Sequence, residues 1–260
     1  MLSKTVSVQT EDGSYTLFDP TRQIHYRSMH GASSESMYVF FQGTRIEDRP
    51  TPWNILELGF GTGMNFLSTA QAFRQKGIKG KLRYHGVDWK PVTPELLNSL
   101  HFTEWLEDKT LLELVKDVLA QGQRDSPRIH QVQSPEGDIE LNLYAQAWED
   151  CHIPDLQADA IYFDPFGPRD NPESWTREAF FWVARHTAAD GILATYSAAS
   201  KVRQALAEAG FFVAKAPGAG RKREMTVASP NADSLSTFKI LQQERFQPSK
   251  SKQSKQNDLD

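Results

Sequence analysis

The sequence predicts a doubly wound α/β fold, and three observations carry that expectation. Short apolar strands alternate with helical segments from residue 54 onward. A glycine-rich turn follows the first of those strands, and acidic residues stand at the ends of three of them, Glu57, Asp88 and Asp164. The sheet is expected to be mostly parallel and seven-stranded with an antiparallel closing strand, preceded by a small N-terminal β extension.

Taken in order, residues 5–20 read as a hairpin. Val6-Ser7-Val8-Gln9 alternates, Asp12-Gly13 supplies the turn, and Tyr15-Thr16-Leu17-Phe18 resumes the strand. Residues 34–41 read as a short helix carrying Met37, Tyr38 and Phe41. The core begins with a strand at 54–58 and a helix at 63–74, then a strand at 82–87. Residues 94–120 carry leucines and valines at helical spacing and read as helical. Segments 128–133 and 139–145 form a β-pair around Pro135-Glu136-Gly137. A buried-type strand at 159–163 precedes a helix at 173–187, a strand at 192–196 and a helix at 200–209. Strands at 211–215 and 224–229 close the fold, too tightly connected for a helical crossover and therefore antiparallel. Residues 1–50 are expected to form an extension packed on a core domain of residues 51–245. Residues 246–260, almost devoid of apolar side chains, read as a disordered tail.

The composition narrows the function classes. A chain of 260 residues with 39% hydrophobic and 24% charged side chains is long enough for one α/β domain with additions. The net charge of −4 gives no global sign of a nucleic-acid partner, so any such site must come from local clustering. Cys151 is the only cysteine, which excludes an intrachain disulfide and a thiolate zinc cluster. No metal site is expected. No signal peptide and no membrane-spanning apolar run are apparent, so a cytoplasmic protein without a membrane partner is expected.

The first motif is Asn54-Ile55-Leu56-Glu57-Leu58-Gly59-Phe60-Gly61-Thr62-Gly63, a strand and turn that bring backbone against a ligand at the helix N-terminus. A dinucleotide fingerprint would place a small residue at the sixth position after the turn begins, where Met64 and then Asn65 stand. Glu57 would repel a pyrophosphate but suits the α-ammonium of a methionine moiety, which points to S-adenosylmethionine. Asp88, closing Tyr84-His85-Gly86-Val87-Asp88-Trp89, stands where a carboxylate holds a ribose diol, and Trp89 is placed to pack on adenine. Asp164 opens the rigid run Asp164-Pro165-Phe166-Gly167-Pro168 at the end of another strand; the run resembles the Asp/Asn-Pro-Pro-aromatic loops of methyltransferases that act on amino nitrogens, which makes its carboxylate the candidate catalytic group. Arg221, Lys222 and Arg223 form a cationic loop suited to phosphates.

Several of these runs together resemble one family, the methyltransferase domain of the bifunctional bacterial tRNA 5-methylaminomethyl-2-thiouridine biosynthesis protein and its stand-alone relatives. The resemblance extends from about residue 26 to residue 228. It is carried by Tyr26-Arg27-Ser28 through Tyr38-Val39-Phe40, the glycine turn through Asn65-Phe66-Leu67, Asp164-Pro165-Phe166-Gly167-Pro168-Arg169-Asp170-Asn171-Pro172-Glu173-Ser174-Trp175, and Gly220-Arg221-Lys222-Arg223-Glu224-Met225. It implies a Rossmann-like class I methyltransferase fold and N-methylation of the 5-aminomethyl group of wobble uridine in the tRNA anticodon region. Asp164 then takes the catalytic position. Glu57, Gly59, Phe60, Gly61, Thr62, Gly63, Asn65, Asp88 and Trp89 become cofactor contacts. Tyr26, Phe166, Pro168, Arg221, Lys222 and Arg223 become substrate contacts.

Family members often carry an acid in a Gly-Asp pair after the third strand. Here the segment is Gln146-Ala147-Trp148-Glu149-Asp150, so Glu149 or Asp150 would stand in for that acid, with Trp148 stacking. The family's bifunctional members also carry a flavin oxidase region. No second glycine fingerprint follows here, so a separate enzyme would supply the aminomethyl uridine. Three alternatives stay open on sequence alone: another amine or exocyclic-base N-methyltransferase, a non-catalytic S-adenosylmethionine- or RNA-binding module, and a flavin or nicotinamide oxidoreductase.

Overall fold

In the computed structural model, residues 5–123, 129–220 and 223–242 are described. The expected tail, the first residue of the 128–133 strand, and Arg221 and Lys222 lie outside them. The chain opens with β1 (Val6–Gln9), β2 (Tyr15–Asp19) and β3 (Ile24–His25), an antiparallel three-stranded sheet in that order. Asp12 locks the expected hairpin turn. Its Oδ1 accepts from the Thr10 hydroxyl (2.7 Å) and the Ser14 amide (3.1 Å), while its Oδ2 accepts from the Ser34 amide (3.0 Å) and ties the hairpin to the next segment. That segment is α1 (Ala32–Glu35), which runs on as a wider π-type turn over Ser36–Gln42. There the Gly43 amide reaches back five residues to the Tyr38 carbonyl.

The main sheet follows, with β4 (Trp53–Leu58), α2 (Met64–Gln75), β5 (Leu82–Val87), α3 (Pro94–Leu97) and α4 (Thr110–Gly122). Next come β6 (Ile129–Gln133), β7 (Ile139–Tyr144), β8 (Ala158–Phe163), α5 (Arg177–Arg185) and β9 (Thr187–Thr195). The chain closes with α6 (Ser200–Glu208), β10 (Phe212–Pro217), β11 (Glu224–Ser229) and β12 (Lys239–Ile240). The nine strands lie in the order β12-β10-β11-β9-β8-β4-β5-β7-β6. The run β9-β8-β4-β5-β7 is parallel, and the flanking pairs are antiparallel, including β10 with β11 as expected. Among the described residues the sheet has nine strands rather than seven, with short β12 and antiparallel β6 forming its edges.

Both faces of this sheet are covered, which explains the near-continuous apolar strands. Ile55 of β4 and Tyr162 of β8 face one core with Phe66, Leu67 and Val115 of α2 and α4. Their neighbours Leu56 and Ile161 face the other, with Phe180, Val183 and Leu206 of α5 and α6. Phe40 and Phe41 of the N-terminal segment join the first core, so the extension is packed into it rather than laid over it.

Two helices are shorter than periodicity suggests. The 94–120 segment breaks at His101, whose φ of 49° is left-handed, and restarts where Asp108 Oδ1 accepts both the amide (2.9 Å) and hydroxyl (2.6 Å) of Thr110. The 173–187 segment begins as a single 3₁₀ turn, Pro172–Trp175. The α-helix proper starts after Thr176, whose hydroxyl accepts from the Ala179 amide (3.2 Å). Its last expected residue, Thr187, already belongs to β9.

Candidate active site

The parallel strands end along one edge, and there a cavity of about 1390 Å³ opens. One wall is the turn after β4. Gly59, Gly61 and Gly63 all have positive φ (87°, 54° and 75°), and each carries a different constraint. A Cβ on Gly59 would stand 2.6 Å from the Asp164 carbonyl oxygen, because the loops after β4 and β8 pack directly on each other. Gly61 faces open space, and its amide donates to Asp88 Oδ2 (2.8 Å). The other Asp88 oxygen accepts from the Lys90 amide (2.9 Å). Burial raises the Asp88 carboxyl above its usual range, and these two amides oppose that shift.

The adjoining wall is the loop after β8, and its carbonyls are held by side chains. The Asp164 amide donates to the Leu58 carbonyl (2.9 Å). The Tyr196 hydroxyl donates to the Pro165 carbonyl (2.8 Å), and the Trp175 indole donates to the Phe166 carbonyl (2.7 Å). Tyr26 meets Phe166 edge-to-face with centroids 4.9 Å apart, and Arg22 lies over the same ring.

Beneath Asp164 lies a network of buried polar groups. Asp164 pairs directly with Arg27, and both side chains are only 8% exposed. Asn65 Nδ2 donates to Asp164 Oδ2 (2.8 Å) and to Glu57 Oε1 (2.6 Å). The Ser36 hydroxyl donates to Asn65 Oδ1 (2.6 Å), which settles the orientation of that amide. The Tyr84 hydroxyl donates to Glu57 Oε2 (2.8 Å), and Arg27 Nη2 stands 3.9 Å from Glu57 Oε1. Burial pushes Glu57 well above the ordinary carboxylate range, partly offset by Arg27. Burial works against the Arg27 charge, but Asp164 and Glu57 outweigh it and hold its pKa above the usual value.

The sequence-expected residues divide between wall and interior. Tyr26, Gly59, Gly61, Thr62, Asp88, Trp89, Trp148, Glu149, Asp164 and Phe166 line the cavity; Trp89 is 69% exposed. Glu57, Phe60, Gly63, Asn65 and Pro168 do not line it. Glu57 and Asn65 form the buried network instead. Phe60 turns inward because Gly86 of β5 leaves room for its ring: a Cβ at Gly86 would stand 2.4 Å from Phe60 Cδ2. Arg223 is exposed and also lies outside the cavity wall. It directly precedes β11, whose start lies at the same sheet edge, since Thr226 pairs with Thr195 at the end of β9. Arg27 escaped the sequence reading as a site residue, although it sits in the Tyr26-Arg27-Ser28 run that carries the resemblance.

Among the described residues, seven acidic side chains line the cavity against three lysines and arginines, a surplus that favours cationic ligands. Among the described residues no helix is long and apolar enough to cross a membrane, and no three side chains are grouped as metal ligands.

A family model described as S-adenosyl-L-methionine-dependent methyltransferase matches residues 109–231. The chain is 35% identical over 213 residues, 78% of its length, to the tRNA 5-methylaminomethyl-2-thiouridine biosynthesis bifunctional protein of Hahella chejuensis. It is 35% identical over 237 residues, 88% of its length, to the protein of the same description from Cupriavidus metallidurans. Over these spans the chain resembles S-adenosyl-L-methionine-dependent methyltransferases. It spans about a third of the length of these relatives, 33% and 34% respectively. The crystal structure of MNMC2 from Aquifex aeolicus shares the fold, with a TM-score of 0.68 at 23% identity over 95% of this chain and 81% of that one. S-adenosylmethionine is the family's cofactor, and the site fits it. The glycine turn leaves backbone room, Asp88 stands beside it, and the acid surplus suits a ligand carrying a sulfonium and an ammonium.

Proposed function

We propose that the chain methylates the primary amine on carbon-5 of a tRNA wobble uridine, giving the methylaminomethyl derivative. The observation that carries this reading is Asp164. It is an anchored carboxylate in an acid-lined cavity, set directly against the glycine turn. Bound S-adenosylmethionine supplies an electrophilic methyl group on a positively charged sulfur. The Gly59–Gly61 backbone, Thr62, Asp88, Trp89, Trp148 and Glu149 hold it, and Glu57 and Asn65 stiffen the wall from behind.

An alkylamine is mostly protonated in water, and its lone pair must be freed before attack. The acidic cavity attracts the ammonium. As the nitrogen gives up a proton and forms its bond to carbon, the carbon–sulfur bond breaks and the sulfur leaves neutral. Asp164 accepts a hydrogen bond from the nitrogen and aims it. A carboxylate paired with a guanidinium orients a donor better than it removes a proton, so the proton passes to solvent. Tyr26 and Phe166 offer ring surfaces to an extruded uracil, with Pro168 adjoining. Arg223, just before β11, would meet the RNA backbone, and the sequence-predicted Arg221 and Lys222 would add to its charge. The acid surplus favours an alkyl ammonium over an exocyclic base nitrogen, which is uncharged. A separate enzyme supplies the aminomethyl uridine, and a tRNA substrate places the protein in the cytoplasm.

The test is nucleoside mass spectrometry after incubation with S-adenosylmethionine and tRNA bearing 5-aminomethyl uridine. A gain of one methyl group at the wobble uridine is expected. Methylation of DNA or free alkylamines with none on tRNA would overturn the reading.

A further inference from the structure

The catalytic half of the cavity is completed by a residue outside the sheet. Arg27 follows β3 and is placed by the N-terminal extension: its own amide donates to Thr16 Oγ1 of β2 (2.9 Å), and the Tyr26 amide donates to the Leu17 carbonyl (2.8 Å). From there its side chain crosses the Phe40 ring, 5.8 Å from the centroid, and pairs with Asp164. Arg27 and Asn65 engage the same carboxylate oxygen, Oδ2, from two different elements.

We propose that Arg27 is a positioning residue for methyl transfer, acting from the N-terminal extension to keep the Asp164 carboxylate ionised and aimed at the substrate nitrogen. This rests on the amine-methyltransferase reading above. Three arguments support it. Arg27 is a cation in direct contact with Asp164, and among the described residues Glu57 of β4, Glu35 of α1 and Asp170 of the loop after β8 add negative charge around the pair. Tyr84 and Tyr196 also face it, and burial raises both hydroxyls, so neither supplies a compensating charge. Without Arg27, Asp164 would keep only the Asn65 amide it shares with buried Glu57, and proton uptake by Asp164 would remove the acceptor the amine needs. Lastly, a fork of two nitrogens lets Arg27 stand between Asp164 and Glu57, which a single ammonium cannot match.

The experiment compares wild type, Arg27→Gln, Arg27→Lys, Asp164→Asn and the double variant Arg27→Gln/Asp164→Asn on tRNA bearing 5-aminomethyl uridine. Arg27→Gln should lower kcat about a hundredfold with the KM for tRNA unchanged, and should move the acid limb of the kcat profile to higher pH. The double variant should be no slower than Asp164→Asn alone, because both changes remove one function. Arg27→Lys should fall between wild type and Arg27→Gln. If Arg27→Gln does not fold, by thermal unfolding, Arg27→Lys decides: kcat down about tenfold supports the role, and wild-type kcat with an unmoved pH profile overturns it. Additive losses in the double variant, or a loss confined to S-adenosylhomocysteine affinity by calorimetry, would also overturn it. Failure of the wild type itself to methylate this tRNA would instead count against the substrate reading.

Discussion

The two walls of the cavity are built from different materials. The proposed cofactor wall is mostly backbone: three glycines at positive φ, the amides of Gly61 and Lys90, and one carboxylate that receives both. The proposed amine wall is backed by a set of buried charged and polar side chains from four separate segments, Arg27, Glu57, Asn65 and Asp164. Backbone walls tolerate side-chain change but not added atoms. Charged walls tolerate small changes in volume but not changes in charge. This contrast separates the expected effects of substitution at either wall.

The largest effect is expected on the amine wall. Asp164→Asn is nearly isosteric, yet it removes the charge that Arg27 holds and the acceptor the amine needs. Single-turnover rates with saturating cofactor should fall about a thousandfold, roughly 4 kcal/mol. Affinity for S-adenosylhomocysteine should stay within a few-fold by calorimetry. A near-normal rate would show that the carboxylate is scaffolding only.

The same contrast explains what the sequence disclosed. The glycine turn is contiguous in sequence and Asp88 ends the next strand, so spacing alone marks them as one candidate group, and the Gly61 amide does reach Asp88. The amine wall joins residues distant along the chain, and no local pattern announces that Asn65 of α2 bridges carboxylates from β4 and the loop after β8. Glu57 and Asn65 therefore read as ligand contacts, whereas their side chains bond one another behind the wall. Phe60 carried a usable signal, since a glycine within a strand, Gly86, marks a close approach from the facing element. The strands themselves were legible because both faces are buried. The breaks at His101 and Thr176 were not, because apolar spacing continues across both.

Adding one methyl group tests the backbone wall. Gly59→Ala places a Cβ 2.6 Å from the Asp164 carbonyl oxygen at a φ of 87°, and a rigid loop cannot move aside at low cost. The expected loss is about 3 kcal/mol of stability, read from urea unfolding. Gly61→Ala, with open space around it, should lose only about 1 kcal/mol. Equal losses at both positions would mean that left-handed strain, rather than contact between the walls, governs the turn.

Acid should weaken the backbone wall through its supporting strand. His85 of β5 lies beside the Tyr144 hydroxyl (3.2 Å), and burial pushes its pKa from 6.5 down to about 4, against the pull of Glu140. A histidine held neutral in the native state binds fewer protons than in the unfolded chain. Its contribution is therefore complete above pH 6.5 and is lost as pH falls toward 4. About 2 kcal/mol should disappear between pH 7 and pH 4.5, measured by urea unfolding. His85→Gln should flatten that dependence, and an unchanged slope in the variant would assign the acid sensitivity to other groups.

The smallest effect should come from the second carboxylate of the amine wall, and it sharpens the contrast most. Glu57 and Asp164 share the Asn65 amide and lie near the same arginine, but burial raises Glu57 well above the ordinary range. A carboxyl that favours its neutral form resembles a glutamine in shape and charge. In Glu57→Gln, the carbonyl oxygen would still accept from Asn65, and the amide nitrogen would donate to the Tyr84 hydroxyl. The variant should therefore keep its stability within about 1 kcal/mol and its kcat within about tenfold, against the thousandfold loss at Asp164. A loss at Glu57 as large as that at Asp164 would mean that both carboxylates act ionised, and that the amine wall needs two negative charges balanced by Arg27.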